Sequence, residues 1–201
     1  AHLYTDENFA RASADYAQAA ALDPGERYHF LNHSNLYFFR AEQFSFAPEL
    51  FNEARFQNKE TDVWNDFDEA ARHADRASEF PYGKQSVIGI LLKKGDTAFK
   101  FEKYDVALEA YRSDAKHVGK NYERLCDENE ENSYCPVAKR SNLSLFSFKR
   151  AKTYLKLGDA EKALSELKIY FASALHDKCP QPFVLRMQAY RKLGQTEAAQ
   201  A

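Results

Sequence analysis

Three lysines, Lys149, Lys152 and Lys156, stand at i, i+3 and i+7, a spacing that aligns side chains along one helix face. Such a stripe can hold carboxylates, and Phe148 beside it can cover an apolar side chain. His29 and His33 are four apart, the separation at which two imidazoles on a helix can share a metal. The zinc-protease pattern also needs a glutamate after the first histidine, and Phe30 stands there, with no clear third ligand nearby. They read as surface or interface histidines, and His73, His117 and His176 as isolated ones.

Cys126 and Cys135 bracket a polar stretch, CDENEENSYC, that could close as a disulfide and would leave Cys179 unpaired. An odd count without a CxxC pair reads instead as ordinary thiols in a reducing compartment, hence a cytoplasmic location; a disulfide would imply a periplasmic or secreted one. A zinc site from Cys126, Cys135, His176 and Cys179 would need loops far apart in sequence to converge. The chain has seven glycines, no glycine-rich phosphate loop and no nucleophile elbow. Its carboxylates fall on the outer faces of the expected helices, where solvation or ion pairing is the ordinary outcome. These features predict a protein that is not an enzyme, with no metal and no cofactor.

The net charge of −2 over 201 residues gives no basis for bulk nucleic-acid binding. No apolar run approaches the roughly 20 residues that cross a bilayer, and no signal-peptide pattern opens the chain.

The elements that must position these residues are clearest in LKKGDTAFKFEKYDVALEAY, residues 92 to 111. Gly95, Ala98 and Phe99 line one face of a first helix; Tyr104, Ala107, Leu108 and Tyr111 line one face of a second. Short side chains let two antiparallel helices approach closely, and the aromatics fill the flanking gaps. The pattern recurs downstream: Ala151 and Tyr154, a turn at LKLGD (155 to 159), then Ala163 and Leu167, and a further first helix over 183 to 194 with Met187 and Tyr190. Upstream, Phe30, Ser34 and Tyr37 open a helix over 27 to 41, for which a partner is expected over 46 to 57. A helix over 62 to 80, with Phe67, Ala70, Ala74 and Ala77 in phase, reads as an extra or degenerate element. Residues 8 to 24, with Phe9, Ala12, Tyr16 and Ala19, form a second helix lacking its first. The turns at Glu102 and Gly158 are 56 residues apart, which predicts an inserted acidic loop near 119 to 136 carrying Asp127, Glu128, Glu130 and Glu131.

This order of small, aromatic and alanine positions resembles the tetratricopeptide repeat, whose period is about 34 residues. The resemblance implies an all-α fold: a right-handed α-solenoid of helical hairpins, about ten helices, forming a single domain over 1 to 201. Residues 1 to 81 are divergent and 82 to 201 better matched. Both ends cut through repeats, as in a segment of a longer chain, and uncapped repeats leave apolar faces open to self-association.

Residues 92 to 194 are also similar to the tetratricopeptide domains of large immunophilins and related co-chaperones, which grip acidic carboxyl-terminal tails with two asparagines and three basic residues. Here Leu92, Asp96, Lys149, Gln181 and Leu185 occupy those places, so the resemblance does not extend to that ligand. First helices of the repeat line the concave face, which assigns to it Lys100, Phe148, Lys149, Lys152, Lys156, Arg191 and Lys192. In the amino-terminal half it assigns Tyr28, Asn32, Asn35, Phe38 and Phe39, although at least one of the two phenylalanines is expected in the core. The function implied is a non-catalytic protein–protein interaction scaffold or adaptor for a peptide or protein, its basic half favouring an acidic one. The alternative is a regulatory or substrate-recruiting part of a larger enzyme.

Overall fold

A computed structural model of the chain describes residues 6–46, 60–78, 86–113, 134–173 and 180–195. Among them are eight helices and no strand: α1 (Asp6–Leu22), α2 (Arg27–Phe46), α3 (Glu60–Ser78), α4 (Ser86–Lys100), α5 (104–113), α6 (Tyr134–Lys156), α7 (Ala160–Ser173) and α8 (Pro180–Lys192). The described protein is therefore all-α. It divides into two compact units, Ala1–Lys94 and Gly95–Ala201.

In unit one, α1 packs on α2 and α2 on α3. The stripe expected on α3 is buried as a whole: Phe67, Ala70, Ala74 and Ala77 are completely inaccessible. Opposite it Ser34 is buried as well and donates a hydrogen bond to the Ala70 carbonyl at 2.7 Å, which requires the two backbones to lie close. Val63, Ala41 and the apolar front of α4 (Val87, Ile90, Leu91) complete the core. Charges ring it in pairs, Arg40 with Asp66 at 2.5 Å and Lys94 with Asp68 at 2.5 Å.

The expected register between 42 and 82 needs correction here. Helix α2 does not stop at Ala41 but continues to Phe46. AEQFSF contains no breaker, and the first one is Pro48, which disfavours helix at the residue before it. The packing partner of α2 is α3, the stretch that sequence alone left as an extra or degenerate element. The partner expected over 46 to 57 falls, after Phe46, outside the described residues.

Unit two is organised by three turns of one kind. Glu102, Gly158 and Gly194 all have positive φ, of 60°, 86° and 72°. In each turn the following amide reaches back to the same relative carbonyl: Lys103 to Ala98 at 2.8 Å, Asp159 to Tyr154 at 2.9 Å and Gln195 to Tyr190 at 3.0 Å. Each helix thus ends by one left-handed residue that closes its last carbonyls. The side chain of Asp159 then accepts the Lys162 amide at 3.0 Å and caps α7.

Gly95 is required by packing, since a Cβ there would overlap the ring of Tyr111 on α5. Ala163 and Leu167 of α7 are buried, as are Ala151 and Tyr154 of α6. Arg150 is buried too, with Glu166 of α7 at 2.9 Å and the Tyr111 carbonyl at 3.1 Å as acceptors.

Helix α6 has 23 residues and begins at Tyr134, inside the stretch expected as a loop. The last three residues of the expected loop, 134 to 136, are its first turn, where Pro136 lacks no needed hydrogen bond. The rest of that loop, with Cys126 and the acidic run, lies outside the described residues, as does His117 before it. So do His176, Cys179 and the side chain of Cys135.

Candidate functional site

Helices α6 and α8 together contain nine lysines and arginines, Lys139, Arg140, Lys149, Arg150, Lys152, Lys156, Arg186, Arg191 and Lys192, and no aspartate or glutamate. Between them lies a groove of about 240 Å³, lined by Phe148 and Lys152 from α6 and by Pro180, Gln181, Val184 and Leu185 from α8. Four apolar side chains thus form the body of the site, and one ammonium and one amide supply its polar contacts. In a groove of that make-up burial can supply affinity and a few polar groups can fix the orientation of a ligand.

Each wall is held from behind. The ring of Phe148 packs against Tyr170 of α7, with centroids 5.9 Å apart. Lys152 places its ammonium 4.6 Å from the centre of the Phe99 ring of α4, a cation–π contact that aims the charge without neutralising it. Leu185 packs into the core formed by Leu108, Tyr154, Leu155 and Ala163. Val184 remains 44% exposed, and Leu145 and Phe183 are exposed nearby in sequence.

The predicted lysine stripe divides in the structure. Lys149 binds both carboxylate oxygens of Asp96, at 2.7 and 2.9 Å, and the Tyr111 hydroxyl donates to the same carboxylate at 2.6 Å. Its charge is balanced by that carboxylate. Lys152 and Lys156 are exposed, and Lys156 makes no ion pair among the described residues. Lys192 donates to the Leu155 carbonyl at 2.9 Å, which ties the end of α8 to α6. Arg191 and Lys100 are exposed.

In unit one, Tyr28 and Phe39 are 54% and 47% exposed, and Asn32 and Asn35 are exposed between them. Residues 28, 32, 35 and 39 fall on one helix face. Phe38 turns the other way and packs against Phe67 with centroids 6.1 Å apart. Of the two phenylalanines it is the one in the core. The structure therefore brings together Phe148 and Lys152 at the groove, pairs Lys149 with Asp96 in a partly exposed ion pair, and keeps the aromatic and amide stripe of α2 as a surface of unit one.

His33 does not pair with His29. Its neighbour is His73 of α3, at 3.8 Å between ring centres. Among the described residues no group of three or more histidine, cysteine or acidic side chains could hold a metal. No described helix is long and apolar enough to cross a membrane.

Sequence reasoning missed Val184 and Pro180, and met Gln181 and Leu185 only as replacements for basic residues. The available signal was an apolar residue off the packing stripe of α8, three and four positions from its neighbours in the groove. His73 was missed for a similar reason, although it lies three residues after the buried Ala70 and so on the same side of α3.

No family model and no curated protein sequence matches the chain. A solved structure to which it is similar is the crystal structure of BtubC (BKLC) from P. vanneervenii, at 16% identity and a TM-score of 0.43, over 96% of this chain and 85% of that one.

Proposed function

We propose that the protein is a non-catalytic interaction scaffold, and that the α6–α8 groove receives a segment of a peptide or protein partner. The observation that carries this reading is the groove itself, an apolar trough with a lysine at its wall, between two helices without acidic residues. That charge pattern favours an acidic segment. The finer architecture belongs to the same proposal: a right-handed tetratricopeptide-like solenoid of about ten helices, supported by the three turns of equal geometry and by the alanine stripes. Asp96 and Lys149, which replace the two asparagines of the co-chaperone clamp, satisfy each other and so are not available to grip a terminal carboxylate.

The test is selection of randomised 12-residue peptides on the wild-type chain, followed by affinity measurement on Val184→Asp and Lys152→Glu. Acidic sequences should be enriched, with binding lost by tenfold or more in both variants. No enriched class, or enriched peptides that bind both variants as tightly as wild type, would remove the groove from consideration.

A further inference from the structure

The buried polar groups of unit one gather where α1, α2 and α3 meet. His33 and His73 are 6% and 7% exposed, and their rings stack with an interplanar angle of 29°. Tyr37 extends the stack at 5.3 Å from His33 and 5.8 Å from His73, and Tyr16 of α1 lies 5.9 Å from His33. The Ser13 hydroxyl of α1 is hydrogen-bonded to His33 Nε2 at 2.8 Å and to the Tyr37 hydroxyl at 3.2 Å. From α3 two charged groups face the pair. Arg72 Nη2 is 3.0 Å from His73 Nε2, and Glu69, itself bonded to Arg72, is 3.8 Å from the same nitrogen. Arg40 lies beyond Tyr37, with its ring 5.8 Å away, and is paired with Asp66.

A guanidinium can only donate, so His73 Nε2 must accept from Arg72 and the ring is neutral. Adding a proton there would break that bond and set an imidazolium against a guanidinium. It would also put the new charge face to face with His33 at van der Waals distance. Glu69 offsets part of this, but it is already engaged by Arg72 and half-exposed, whereas the histidine rings are enclosed.

Helix α1 depends on this place. Phe9 is its buried hydrophobic residue, packed edge-on to Tyr37 at 5.1 Å, and Ser13 and Tyr16 follow on the same face.

We propose that the His33–His73 stack is an acid-sensitive latch, which holds α1 on the α2–α3 pair while both rings are neutral and releases it on protonation. Burial first, then His33 and Arg72, hold His73 down to about 4, and burial followed by Arg72 lowers His33. The sign follows directly. A base whose folded-state pKa is depressed contributes its full stabilisation above its ordinary value near 6.5 and loses it progressively as the pH falls towards 4.

The experiment is hydrogen exchange on the whole chain between pH 7.5 and 4.5, comparing α1 amides with those of α7 as an internal control. Protection of α1 should fall by about tenfold per pH unit below 6.5 relative to α7, and His73→Phe, which keeps a stacked ring without a titrating nitrogen, should flatten the profile. Equal loss in α1 and α7, or the same profile in wild type and His73→Phe, would overturn the latch. If that variant does not fold, NMR titration of the wild-type histidines decides: a His73 midpoint near 4 supports the latch, and one at or above 6.5 refutes it.

Discussion

Unit one buries two stacked histidines between α2 and α3, while unit two buries an arginine, Arg150, against Glu166 of the neighbouring helix. Both devices place polar groups between packed helices, yet they respond to different variables. A histidine pair converts proton concentration into packing energy, because its ordinary pKa lies within reach of mild acid. An arginine stays charged throughout, so it supplies no titrating group of its own, and its interaction is lost by removing its partner. The described residues of unit two contain no histidine at all. The difference teaches that a packed helical pair takes its sensitivity from the type of polar residue placed between the helices.

The contrast can be broken most forcefully at Arg150. Arg150→Met leaves the Glu166 carboxylate largely buried without its partner, and unit two should lose about 3–5 kcal/mol in urea unfolding. Replacing both residues, as Arg150→Met with Glu166→Leu, should restore most of that loss. If the double variant is as unstable as the single one, the pair contributes through packing and not through charge.

A smaller effect is expected at Gly95. Alanine gains up to about 1 kcal/mol of helix propensity over glycine, but the overlap with Tyr111 costs about 1–3 kcal/mol. Gly95→Ala should therefore destabilise unit two by about 1 kcal/mol, while Gly89→Ala, where an added Cβ meets nothing within 4 Å, should be neutral or stabilising. Equal effects at the two glycines would show that the close α4–α5 approach is not the constraint.

The smallest effect has the opposite sign. Glu102 holds the left-handed turn position that Gly158 and Gly194 fill with glycine, and an L side chain there costs about 1 kcal/mol. Glu102→Gly should raise the stability of unit two by a few tenths to about 1 kcal/mol, read as a higher melting temperature at unchanged helicity. A decrease would mean that the side chain of Glu102 does something the turn needs.

Much of this protein was determined by sequence alone, wherever the relevant forces act over a few residues. Periodicity placed the buried faces of α3, α5 and α7 and the turn between two stripes at Glu102, and turn chemistry placed the helix ends at Gly158 and Gly194, because both follow from the geometry of a single helix and its cap. The register failed where local signals were mute: AEQFSF has nothing to stop a helix, so α2 ran on to Phe46.

Partner choice was decided only in three dimensions. Lys149 and Asp96 are 53 residues apart, Ser34 and Ala70 are 36 apart, and His33 and His73 come from different helices. Spacing along a helix tells which face a side chain occupies, but whom it meets depends on how two helices cross and at what height. For that reason one stripe of three lysines became an ion pair with a neighbouring helix at Lys149 and an open charge at Lys152.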